Sequence, residues 1–381
     1  RETLRRGGVV QPWSHQADTA QHAWEGRDVL VATGTASGKS LGYQLPILTA
    51  LAEDPTATAL YLAPTKALAQ DQMQSLARLC AATPELADVM VATYDGDTPP
   101  EARRAIREQA RIIVTNPDML HASILGNPKR WTRLLKTLRY LVVDECHVYR
   151  GVFGAHVAMV LRRLLRLVPG AGSSGSGLAG PSSVAGPSSV AGPSSVAGSE
   201  LGTPGPTVIM ASATSVDPAA HARRLTGRAE VAAVTEDGSP AGARTIALWE
   251  PGFLEGVEGE HGAPVRRSAN SEAAEVMARV IAEGARTLSF VRSRRGAEIV
   301  ALAAAEELGG MGRAEDAARV AAYRAGYTPE DRRYLEKALD EGELLGVAAT
   351  NALELGIDVG GLDAVVAAGF PGTIASFRQQ A

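Results

Sequence analysis

Short apolar runs rich in β-branched residues alternate along this chain with stretches of helical periodicity, and no other feature limits the fold as much. A strand that pairs parallel with its neighbour is reached by a crossover of about a dozen residues or more, usually a helix, so the alternation signals βαβ units. In the first half the runs fall at 28–33, 59–63, 89–94, 111–115, 140–144 and 207–211, with helical patterns at 66–80 and 100–108. Past Glu145, the pattern over 155–167 puts Val157, Val160, Leu161, Leu164 and Leu165 on one helix face. A second series has runs at 245–249, 287–291, 320–323, 345–350 and 364–368, with helical patterns at 271–283 and 295–308. The polar stretch from Thr235 to Ala243 separates the two series. The expected fold class is therefore α/β, with parallel sheets in two tandem domains, 1–238 and 239–381. At 381 residues, 45% of them hydrophobic, the chain has material for a core in each.

The first series is interrupted. Between Pro169 and Pro206 the composition collapses to little more than Gly, Pro, Ser, Ala and Val, and Ala-Gly-Pro-Ser-Ser-Val occurs three times in succession at 179–184, 185–190 and 191–196. Six residues of this kind bury no apolar face, so a solenoid is excluded and a disordered surface insertion over 170–206 is expected. The run at 207–211 reads as part of the same sheet, so the insertion interrupts a domain and does not divide two.

Gly34-Thr35-Ala36-Ser37-Gly38-Lys39-Ser40 joins the first strand to a helical pattern. Small residues let such a loop turn backbone N–H groups onto phosphates at the positive end of the following helix. In that geometry Lys39 reaches the β- and γ-phosphates and the Ser40 hydroxyl holds Mg²⁺. One position departs from G-x-x-x-x-G-K-[ST]: Thr33 stands where the pattern has Gly, with Gly34 one place later. The tripeptide Gly-Lys-Ser alone also occurs in ordinary turns; its place between strand and helix is the argument. Asp144-Glu145-Cys146-His147 ends the apolar run Tyr140-Leu141-Val142-Val143. Ligands gather at the carboxyl ends of parallel strands, so Asp144 is expected to hold Mg²⁺ and Glu145 to orient the attacking water. The plain alternative is an acidic strand end capping the next segment, which the upstream loop disfavours. Cys146 reads as a small packed residue.

In that order, the phosphate loop, the Asp-Glu-Cys-His box and Ser212-Ala213-Thr214 resemble motifs I, II and III of superfamily-2 helicases. The segment Ala63-Pro64-Thr65-Lys66-Ala67-Leu68-Ala69-Gln70 resembles motif Ia, Thr115-Asn116-Pro117-Asp118 motif Ib, and the run from Thr350 to Asp358 motif V. Residues 32–40, 94–98, 115–121 and 149–154 are similar to the YprA/MrfA branch, the mitomycin-repair-type helicases related to a fungal RecQ-like enzyme. The resemblance covers nearly all of the chain outside the insertion. It implies two RecA-like domains with ATP and Mg²⁺ between them, and 3′→5′ movement on single-stranded DNA in repair. Residue by residue, it puts Gln16, Thr33, Gly34, Thr35, Ala36, Ser37, Gly38, Lys39, Ser40, Gly356 and Asp358 at the nucleotide, Gln16 by reading the adenine edge beside Trp13. Thr65, Lys66, Thr115 and Thr350 fall at the strand's phosphates, and His147, Ser212 and Thr214 couple the domains. Arg292, Arg294 and Arg295 lie where motif IV belongs, and a solvated arginine face is an equal reading. Phe377-Arg378-Gln379-Gln380-Ala381 resembles the opening of motif VI, whose Gly-Arg-x-Gly-Arg would follow, so the second domain is expected to be incomplete and turnover weak.

Composition narrows the partners. A net charge of −4 excludes a uniformly basic coat, and only five of the 38 cationic residues are lysine, which leaves phosphate gripping mainly to arginine. Cys80 and Cys146 cannot build a four-thiolate zinc site. No apolar stretch approaches the length of a membrane span and no secretory leader is visible, so the expectation is a cytoplasmic monomer whose partner is single-stranded or tailed DNA, with no membrane. Three rivals stay open: an RNA helicase, a duplex translocase, and a nucleotide-dependent nucleic-acid-binding module without efficient turnover.

Overall fold

The structure, a computed structural model, describes residues 11–34, 37–168, 205–213, 217–240, 242–324, 326–350, 353 and 361–380. The chain divides into two compact units at Gly238–Ser239. Apart from Gly205 and Pro206, the insertion expected at 170–206 lies outside the described residues.

The first unit is built on seven strands: β1 (Val29–Ala32), β2 (Thr58–Leu62), β3 (Val91–Thr93), β4 (Ile112–Thr115), β5 (Leu138–Val143), β6 (Thr207–Ser212) and β7 (Ala232–Val234). Their order is β3-β4-β2-β5-β6-β1-β7, with every neighbouring pair parallel. The strand after the insertion pairs between β5 and β1, as the sequence anticipates. Central strands β2, β4 and β6 are buried at every position because helices cover both faces, which is why they read as continuous apolar runs. Successive side chains point to opposite faces: Leu60 and Leu62 enter one core, Ala59, Tyr61 and Ala63 the other. Registers Ala32↔Ser212, Leu62↔Val143 and Val143↔Met210 bring the carboxyl ends of β1, β2, β5 and β6 out along one edge.

The helices that matter for that edge are α1 (Ser14–Trp24), α2 (Ser40–Glu53), α3 (Lys66–Ala81), α4 (Pro100–Gln109), α5 (Gly151–Leu167) and α6 (Pro218–Thr226). Helix α3 starts where Thr65 Oγ1 accepts the Leu68 N–H at 3.3 Å, an ordinary side-chain N-cap. Helix α5 begins four residues before the expected 155. Its first turn carries exposed Val152 and Phe153, so the inward-facing apolar spacing did not mark it.

The second unit has a four-stranded parallel sheet, β11 (Val320–Tyr323), β12 (Gly346–Ala349), β10 (Thr287–Phe290) and β13 (Ala364–Ala367) in that spatial order. Helices α7 (Ala269–Ala282) and α8 (Arg294–Gly310) pack with it around Met277, Ile281, Val300 and Ala348. The strand expected at 245–249 does not form. Ile246, Leu248 and Trp249 are exposed along an irregular segment, because β propensity without a neighbouring strand leaves the backbone groups unpaired. Just beyond it an unexpected antiparallel pair forms, β8 (Phe253–Glu258) with β9 (Pro264–Arg266). Edge strand β7 was also missed, being only three residues long.

Candidate nucleotide site

The loop between β1 and α2 is held from behind by the start of α1. Gln16 Nε2 donates to the Gly38 carbonyl at 2.9 Å, while Gln16 Oε1 accepts the Trp13 N–H at 2.9 Å. His15 Nε2 lies 2.8 Å from the Ser37 carbonyl, and His15 Nδ1 accepts the Gly238 N–H at 3.2 Å, so the neutral tautomer with hydrogen on Nε2 satisfies both. Gly38 has φ +65°, and a Cβ there would sit 2.8 Å from Gln16 Nε2 and 3.1 Å from the Trp13 ring. Only glycine meets both demands. Gln16 thus supports the loop through its amide, and partly exposed Trp13 lies beside it.

Thr33 explains its own departure from the glycine pattern. Its hydroxyl is buried and lies 2.7 Å from Ser37 Oγ, tying the two ends of the loop together. Lys39 Nζ donates to the Thr33 carbonyl at 3.3 Å, folded back over the loop. Gly34 opens the loop, and Thr35 and Ala36 lie outside the described residues. Ser40 begins α2.

Asp144 follows β5 and is buried. Its Oδ1 accepts the Glu145 N–H at 2.8 Å, and its Oδ2 accepts the Tyr61 hydroxyl. Burial, reinforced by the neighbouring Glu145 charge, raises the Asp144 carboxyl to about 6, while the Tyr61 hydrogen bond, the Glu145 N–H and the nearby Lys39 charge act against that rise. A cation at this place would relieve both the burial and the repulsion. Glu145 has φ +46°, left-handed backbone that costs a non-glycine residue about 1–3 kcal/mol and persists where the surroundings impose it. Its Oε2 lies 3.1 Å from His147 Nδ1, and both side chains are largely buried. Cys146 is fully buried and free, and burial pushes its thiol far up, which makes it inert packing. His221 Nε2 bonds the Cys146 carbonyl at 2.9 Å, holding the box from α6.

The first unit therefore gathers Gln16, Thr33, Ser37, Gly38, Lys39, Ser40, Asp144, Glu145 and His147 about one edge of one sheet. Ser212 ends β6 on the same edge, fully buried. Thr65 and Lys66 sit at the start of α3, Lys66 exposed and paired with Asp97 at 2.6 Å. Thr115 is 1% exposed and its hydroxyl donates to the Tyr94 carbonyl at 2.5 Å, fastening the end of β4. Thr350 is likewise buried. Thr214, Gly356 and Asp358 lie outside the described residues. Sequence reasoning missed His15, Tyr43, Tyr61 and Gln72. Each reads as an ordinary interior residue, and no spacing marks it.

Residues 13–215 match the family described as DEAD/DEAH box helicase. The chain belongs to that family. Residues 272–381 of this helicase match the helicase conserved C-terminal domain. It is 39% identical over 372 residues to ATP-dependent helicase hrq1 of Schizosaccharomyces pombe, covering 98% of this chain and 32% of that protein. It is 38% identical to the uncharacterized ATP-dependent helicase YprA of Bacillus subtilis, covering 99% of this chain and 45% of the relative. The crystal structure of the DUF1998 helicase MrfA bound to DNA and AMPPNP superposes with a TM-score of 0.82 at 36% identity, over 99% of this chain and 47% of that one. The chain is thus a superfamily-2 core of the YprA/MrfA kind with two tandem RecA-like domains, and it spans between about a third and a half of these relatives' length. No described helix is long and apolar enough to cross a membrane.

Proposed function

We propose that this chain is the motor of an ATP-dependent DNA helicase that moves 3′→5′ on single-stranded DNA in repair. The observation that carries the reading is the Asp144–Glu145 pair at the tip of β5, Asp144 buried and Glu145 partly buried, on the same first-unit edge as the Gly38-Lys39-Ser40 loop. MrfA in complex with DNA and AMPPNP supports the substrate class, since this core is similar to that one along its whole length. Mg²⁺ is usually held by one or two protein oxygens together with nucleotide phosphates, and Ser40 and Asp144 fit that set. Bound there, the ion would polarise the β- and γ-phosphate oxygens. Lys39 leaves the Thr33 carbonyl for the phosphates, Glu145 orients water with His147 beside it, and Gln16 and Trp13 meet the base. Thr65 and Lys66 contact the strand's phosphates, which fixes position without reading sequence. The remaining expected positions, Thr214, Gly356 and Asp358, complete the coupling and nucleotide sets.

The test is phosphate release with single-stranded DNA, duplex DNA or RNA as activator, followed by unwinding of 3′-tailed and 5′-tailed duplexes. Stimulation by single-stranded DNA and unwinding of the 3′-tailed substrate alone are expected. Stronger activation by RNA overturns the substrate class. Activation by duplex without unwinding makes the chain a translocase, and binding without turnover makes it a binding module.

A further inference from the structure

A buried polar cluster in the first unit adjoins the two proposed cation ligands. Tyr43, on α2, is buried, and its hydroxyl oxygen lies 2.9 Å from Ser40 Oγ, 3.1 Å from the Tyr61 hydroxyl and 3.1 Å from Gln72 Oε1. Tyr61, on β2, donates to Asp144 Oδ2. The two rings pack edge to face with centroids 5.6 Å apart, so neither can turn away without opening the core. Four elements meet here: the helix after the phosphate loop, β2, the tip of β5, and α3 through Gln72.

Tyr61 spends its only proton on Asp144 Oδ2. Tyr43 has one proton for three acceptors within reach, Ser40 Oγ, Gln72 Oε1 and the Tyr61 oxygen, so the two phenols link Ser40 to Asp144 through a continuous chain of hydroxyl contacts. Hydroxyls linked this way polarise one another in a low-dielectric interior.

Resting on the function proposed above, we propose that Tyr43 and Tyr61 are positioning residues for the cation. They tie Ser40 and Asp144 into one buried hydrogen-bonded unit, anchored through Gln72 on the helix that carries Thr65 and Lys66. With its phenol partner and the Glu145 N–H in place, the Asp144 carboxylate is clamped in one plane, its remaining lone pairs presented to the ion.

The experiment titrates Mn²⁺ by electron paramagnetic resonance onto the whole chain with AMPPNP, alongside AMPPNP affinity in chelator. Tyr61→Phe removes one oxygen and keeps the ring; the expected result is about tenfold weaker Mn²⁺ binding, the scale usual for a lost partner of a metal ligand, with metal-free AMPPNP affinity unchanged. Tyr43→Phe should move the same readout in the same direction by less. In an Asp144→Asn background, Tyr61→Phe should have no further effect. Unchanged Mn²⁺ affinity in both folded phenylalanine variants overturns the proposal. So does an equal loss of metal-free nucleotide affinity, which would mark a general distortion. A wild-type chain that binds AMPPNP without any metal dependence overturns the proposed function itself.

Discussion

In the first unit, β2, β4 and β6 are buried at every residue, and the side chains at the β5 and β6 tips are enclosed from several elements at once. In the second, β10 and β12 are equally buried, but edge strand β13 alternates between partly covered and exposed, and the stretch before β8 carries Leu248 at 93% exposure. The same βαβ grammar therefore yields two depths. The first unit's sheet encloses the Asp144 carboxylate with its Tyr61 hydroxyl partner, whereas in the second unit β13 and the stretch before β8 stay within reach of the surface. Depth matters chemically because a fixed charge or dipole acts more strongly where water is excluded.

The largest expected effects test whether chemistry sits in the deeper unit. Lys39→Ala should abolish measurable ATP binding by fluorescent-analogue titration. Glu145→Gln should keep binding and lower turnover by about 10²–10⁴, the usual scale for general-base assistance. Comparable loss of binding in both variants would show that the carboxylate roles are misassigned.

Next in size is packing. Leu141→Ala, in β5, should cost about 2–5 kcal/mol in chemical denaturation. Val365→Ala on the exposed side of β13 should cost under about 1 kcal/mol. The two units can unfold in separate transitions, so each is to be followed by its own probe. Equal costs would break the contrast in depth.

A smaller effect isolates burial. The Asp144 carboxyl is raised in the folded chain, so folding favours its protonated form. That contribution is fully present below the unfolded value of about 3.9 and is lost as pH rises through about 6. Without nucleotide or metal, Asp144→Asn should therefore raise stability by about 1–3 kcal/mol at pH 8, with the gain shrinking towards pH 4. A gain independent of pH would point to packing and not to charge. The smallest effect belongs to the second unit: Leu248→Ser should leave the melting temperature where it is, because the side chain buries almost nothing. A clear drop would mean that this segment packs more deeply than its exposure shows.

The sequence by itself determined what local patterning can encode. Apolar runs and helical periods gave the parallel sheets, because side-chain period and strand spacing are local properties. The loop Gly34–Ser40 and the Asp144–Glu145 box were legible because each sits where a strand ends, and strand ends are marked by composition. Tertiary structure alone decided which polar groups meet. Thr115 is turned inward to the Tyr94 carbonyl, the Thr33 hydroxyl closes on Ser37, and Tyr61 finds Asp144 across 83 positions of chain. It also decided that 245–249 stays irregular while β8 and β9 pair, since a strand exists only where another offers its hydrogen bonds. Periodicity tells a residue which face it occupies. Only the packed sheet tells it who stands opposite.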